Sequence, residues 1–192
     1  FTSPSTPSLA NVADVSPKGW KNFGYTRSTT TFDQVRANIQ SGKDVPLIPN
    51  LGSITGDGLY SIKPLTPLTL DDSFFDDKKV VLFIDGSAII SADFKPINGY
   101  VTIIAQSLTI DDGPTELRGI FAANSISFNN STSPLKIVGN IASLNGSISS
   151  LSRRARTIDP ERPSTFMVFS PSYFYQLLSL LSNSGYDWKQ IQ

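Results

Sequence analysis

The chain has 192 residues, and its 16 basic side chains balance 16 acidic ones to a formal net charge of zero. That length carries one domain with its own core, and so neutral a surface gives no electrostatic footing for nucleic acid or an anionic membrane. There is neither His nor Cys, which excludes thiol nucleophiles, Ser-His-Asp triads and the usual zinc and haem ligand sets and leaves the redox compartment open.

Residues 1–30 are rich in Ser, Thr and Pro with isolated apolar residues. Pro removes a donor and disfavours helix before it, so an extended arm is expected. Phe1, Leu9, Val12, Val15 and Trp20 are its candidate assembly contacts, as a strand added to an open sheet edge. The sequence starts at Phe1 without Met. A processed terminus before a Ser/Thr/Pro-rich stretch is what export leaves, so an extracellular or cell-surface location is expected. Mature type IV pilins also tend to start with Phe, but no long apolar helix comes after it here, and no apolar run reaches the length of a membrane span.

Residues 31–41 read as a short helix. Thr31 and Gln34 make a capping-box pattern, Phe32, Val35 and Ile39 share a face, and Gly42 supplies the stop. Its expected role is to cap or flank the β-coils of the central region, covering the first of them. Residues 45–70 are punctuated by Pro46, Pro49, Pro64 and Pro67, with Ile54, Leu59, Tyr60 and Ile62 placed for an irregular first coil.

The middle of the chain repeats. VLFIDGSAII (81–90), VTIIAQSLTI (101–110) and GIFAANSISF (119–128) each alternate apolar and polar residues around a small or polar pair, and LKIVGNIASL (135–144) is a weaker echo. The offsets are 20, 18 and about 15 residues. Strand-like repeats of that period predict stacked coils of a β-solenoid. Period two directs Val81, Phe83, Val101, Ile103, Phe121 and Ile126 inward, subject to a slip of one residue. Asp85-Gly86, Gln106-Ser107 and Asn124-Ser125 fall at corners. Ser87, Ser107 and Ser125 then stack as a polar ladder or a small-residue corner.

After residue 150 the character changes. Arg153, Arg154 and Arg156 precede Asp159 and Glu161, a grouping expected to form a salt-bridged surface rather than a polyanion site. Thr165 to Phe169 is a short apolar strand, and Ser170-Pro171 opens a helix as N-cap and first residue. Tyr173, Phe174, Leu177, Leu178 and Leu181 line one face of that helix. Asn183 and Gly185 end it, and Tyr186 and Trp188 lie in an aromatic tail. Tyr173, Tyr186 and Trp188 complete the assembly candidates. The same aromatics, with Phe174 and Tyr175, offer stacking surfaces for a surface glycan.

The coils, followed by RPSTFMVFSPSYFYQLLSLL and YDWKQIQ, resemble the C-terminal part of uncharacterised exported surface proteins of reduced-genome bacteria, over residues 80–192. Arg162-Pro163 through Tyr173, and Trp188, carry most of that likeness. It implies a cell-surface location and pilus association, and no reaction. The coils alone also resemble bactofilins, which polymerise by stacking β-helices end to end; the helical, aromatic C-terminus departs from them.

Asp71-Asp72, Asp76-Asp77 and Asp111-Asp112 offer oxygen ligands for calcium, without EF-hand or nonapeptide spacing; plain turns are the expectation, with no cofactor. Asp85, Asp93, Asp111 and Arg118 are the residues a β-helix carbohydrate enzyme would use, but no long loops interrupt the coils. Lys136 is the one candidate for an isopeptide bond. Asn129, Asn130 and Asn145 sit in Asn-Xaa-Ser/Thr triplets that also suit turns.

The expected fold is therefore mainly β: a short β-solenoid core in residues 31–150 with its N-terminal helix, an extended arm in 1–30, and a strand-helix cap with an aromatic tail in 151–192. The expected function is structural and not enzymatic. The chain is read as a subunit of an extracellular filament, pilus or surface layer that assembles with itself through coil ends or arm exchange. A monomeric adhesin or glycan-binding module is the first alternative, and a carbohydrate-active enzyme the second.

Overall fold

The alternating apolar runs form strands that pair side by side, and every pair is parallel. The computed structural model describes residues 30–149 and 165–182. Helix α1 (Phe32–Gln40) is followed by strands β1 (Gly58–Ile62), β2 (Leu68–Thr69), β3 (Lys79–Ile90), β4 (Tyr100–Ile110), β5 (Glu116–Phe128), β6 (Leu135–Ser149) and β7 (Thr165–Val168), then helix α2 (Pro171–Leu181). The sheet order is β1-β3-β4-β5-β6-β7, and β2 also pairs with β3. Successive strands lying side by side in parallel make a β-solenoid. β1 and β2 are two parts of one irregular first coil, since β1 faces Val80–Ile84 of β3 and β2 faces Ala88–Ile89.

The interior is apolar from Val80 to Ile141. Phe75, Phe94 and Phe121 run through it as a stack, with ring centroids 5.5 and 5.8 Å apart. All three are fully buried, and removing one such ring typically costs about 3–5 kcal/mol.

Val101, Ile103, Phe121 and Ile126 point inward, as the alternation predicts. Val81 and Phe83 do not. They join Phe32, Leu59, Ile104 and Leu177 in a second cluster on the outer flank. The reason is a register shift between Ile84 and Ser87: Val80 lies opposite Val101, whereas Ser87 lies opposite Ser107. The extra residue reverses the alternation before Asp85-Gly86, so Val80, Leu82 and Ile84 are the inward set of β3. The fourth repeat also differs from expectation. Gly139, not Leu135, lies opposite Gly119, and a second shift carries Ser147 opposite Ser125.

The serine ladder is present at its first step, with Ser87 and Ser107 hydroxyls 2.8 Å apart. Ser125 follows in register with Ser107. Gln106 donates to Asp85 across the same corner at 2.6 Å.

α1 has the capping box its sequence predicts. The Gln34 N–H donates to the Thr31 hydroxyl, and the Gln34 side chain accepts from the Thr31 N–H. It lies along the flank against Val81, Phe83 and Ile104, spanning coils instead of covering the first one. α2 packs against the same flank through Leu177, while Leu178 is 57% exposed and does not share the buried face. Lys43 ties the two helices, donating to the Leu180 carbonyl at 2.6 Å. Leu180 and Leu181 also pack here. The two helices are flanking clasps rather than end caps.

Candidate functional site

Most of the carboxylates that the sequence offers for calcium or catalysis, and Asp57 with them, are turned onto the neighbouring coil, whereas Asp71 accepts from Ser73 in its own turn. Asp93 accepts from the N–H groups of Thr115 and Glu116 at 2.6 and 3.0 Å. Asp72 accepts from the Lys95 N–H at 2.8 Å, Asp76 from the Ile97 N–H at 2.6 Å, and Asp57 from the Lys79 N–H at 2.8 Å. Asp111 accepts from the Asn129 side chain at 2.8 Å. Each bond between coils joins residues 18 to 23 apart. Backbone donors leaving a coil corner need acceptors, and an Asp on the preceding coil supplies one.

Burial works against the charge on Asp93, but the bonds from Lys95, Thr115 and Glu116 outweigh it and hold the carboxyl well below its usual range. Glu116 is also held low: burial opposes ionisation, and Arg118 and Lys136 at 2.9 and 3.3 Å prevail. Lys136 is thus a half-exposed ion-pair partner, unlike the buried lysine an isopeptide bond requires. Arg118 is paired with Glu116 at 2.9 Å. Among the described residues no group of three or more Asp or Glu converges as a metal site would require.

Two surface features of the described residues bear on function. The first is a cleft of about 330 Å³ where the start of α2 meets the coils, lined by Tyr100, Glu116, Arg118, Lys136, Ser172 and Tyr173. Tyr173 is 8% exposed and meets Tyr100 edge-on, with centroids 5.4 Å apart. Its ring anchors α2 and leaves little surface for a partner, and that burial raises its hydroxyl pKa. Phe169 and Tyr175, at 64% and 76% exposed, are the outward aromatics nearby. The other assembly candidates, Phe1, Leu9, Val12, Val15, Trp20, Tyr186 and Trp188, lie outside the described residues, as do Arg153, Arg154 and Arg156.

The second feature is an asymmetry between the solenoid ends. At the first coil, the segment Pro46–Ile48 already covers β1: Ser61 donates to the Pro46 carbonyl and accepts from the Ile48 N–H, at 2.9 and 2.8 Å. Pro46 and Pro49 have no N–H, so only Leu47 in this stretch retains one that is not directed to β1. At the other end, β7 pairs with Leu135–Val138 of β6. Among the described residues no strand lies on its far side. Its side chains Phe166, Met167 and Val168, and Phe169 just beyond them, are all exposed. The sequence reveals this strand but not its exposure; four consecutive apolar residues without alternation are the available signal.

No known protein family, curated protein or solved structure matches this chain. Its functional reading therefore rests on the geometry of the coil ends and the cleft.

Proposed function

We propose that this protein is a structural subunit that assembles with copies of itself into an extracellular filament, pilus or surface layer. The observation that supports this most is the exposed apolar run Phe166–Phe169 on an edge strand at one end of the stack. Among the described residues no strand lies on the far side of β7, and an apolar edge strand of that kind is a template for another chain. The proline-covered first coil argues against simple coil-on-coil stacking, because an open-ended polymer needs two different complementary patches. Exchange of the N-terminal arm supplies the second patch. The carboxylates' engagement with neighbouring coils supports a non-catalytic role. Negative-stain electron microscopy across a concentration series tests the proposal: regular filaments or sheets are expected, and dispersed particles at high concentration would sink it.

The cleft beside Tyr100 and Tyr173 favours a second reading, a surface module that binds a glycan through its Ser, Arg and Lys donors. A glycan array separates the two: saturable binding abolished by Arg118→Ala, in a protein that stays monomeric, would favour the module.

A further inference from the structure

Among the described residues the last long coil is only partly covered. β7 spans Leu135–Val138 of β6 and the chain then leaves for α2. Among the described residues no strand pairs with Gly139–Ser149 on the side away from β5. The apolar interior ends at the same place: Leu135, Ile137 and Ile141 are buried, and Ile148 is only partly buried.

The occupant is indicated by where the chain enters the described body. The first 29 residues lead into α1, whose Phe32 N–H donates to the Asn124 side chain at 2.7 Å. Asn124 is a corner of β5, and β5 is the strand beside β6. The arm thus departs within about 10 Å of the open edge, two strand spacings. Reaching that edge in the same molecule needs only about three extended residues. Of the arm's apolar residues, Trp20, Phe23 and Tyr25 lie within ten positions of Thr30, whereas Leu9, Val12 and Val15 lie at least fifteen before it. Fifteen residues span up to roughly 50 Å, about twice the ~24 Å height of six stacked strands. That spacing suits delivery to a neighbour.

We infer that the edge Gly139–Ser149 is the acceptor for the Leu9–Val15 segment of an adjacent copy, added as a strand over Ile141 and Ile148. This rests on the self-assembly reading above and names its contact. Arm and edge are different patches of one surface, so the contact repeats without closing and generates a fibre.

The absence of cysteine makes the test clean. Val12→Cys and Asn145→Cys are made in separate molecules, mixed under assembly conditions and mildly oxidised. A disulfide-linked heterodimer several-fold above either variant alone is expected. Hydrogen exchange of the Gly139–Ser149 amides is measured alongside, in assembled wild type and in a form lacking residues 1–20. At least tenfold faster exchange is expected in the deletion. A chain carrying both substitutions is oxidised as a control: a bridge formed only within that single chain overturns the inference, and so do unchanged exchange and no bridge in either format. Microscopy of the wild type separates the two ideas: filaments without the cross-link retire this contact alone, whereas no filaments retire the assembly reading.

Discussion

The Asp93 carboxylate accepts the Thr115 N–H at 2.6 Å, across 22 residues of sequence and one step of the stack. It holds the Glu116 N–H at 3.0 Å and the Lys95 ammonium at 2.8 Å as well. Asp93→Ala leaves two backbone donors of the next coil without that acceptor. A loss of about 1–3 kcal/mol is expected, read as a lower denaturant midpoint at unchanged slope. An unchanged midpoint would mean that water replaces the carboxylate without cost.

The same carboxyl predicts how acid acts. Its folded pKa lies below the unfolded value of about 3.9. The unfolded chain therefore binds the proton first, so the stabilisation is fully present above about pH 4 and is lost as pH falls toward the folded value. Glu116 and Asp71 are lowered in the same direction, the second by its bonds from Ser73. Melting temperature should fall on acidification below about pH 4, and less steeply in Asp93→Asn than in wild type. Parallel curves would remove Asp93 from the acid response.

Much of the solenoid is legible in the alternation of Val101, Ile103, Phe121 and Ile126, because period two leaves one face for each residue. The error at Val81 and Phe83 comes from the extra residue at the Asp85-Gly86 corner, which an ungapped repeat hides. The fourth coil is harder to place because Leu135 begins another apolar run. The glycine pair Gly119 and Gly139 carries the correct offset. Pro46 and Pro49 foreshadow the covered first end. The acidic clamps are not legible, since an Asp at a turn has the same sequence signature whether it bonds its own loop or the next coil. The cleft joins residues from three strands and α2, and no local pattern links Glu116 to Tyr173.

Gly139 makes the register testable. Its φ is +127°, a conformation that residues with a Cβ rarely adopt, and an added Cβ would collide with the Gly119 carbonyl. Gly139→Val should therefore destabilise by more than about 2 kcal/mol, whereas Gly56→Ala, where nothing lies within 4 Å, should change little. Equal effects at the two sites would put the β5–β6 register in error.

The exposed strand β7 separates assembly from folding. Met167 is 48% exposed, beside Phe166 and Val168 at 41% and 42%. A lysine on an edge strand keeps its charge in water and resists pairing with another chain. In the isolated molecule Met167 is an exposed edge-strand residue whose long aliphatic stem a lysine keeps, so a stability change within about 0.5 kcal/mol is expected. In an assembled end the same site would be covered, and covering the exposed half of a side chain of this size is worth about 1 kcal/mol. The concentration for half-maximal assembly, followed by sedimentation, should then rise about fivefold while the melting temperature holds. Should both stay unchanged, β7 is not an interface, and the association of copies must run through another surface.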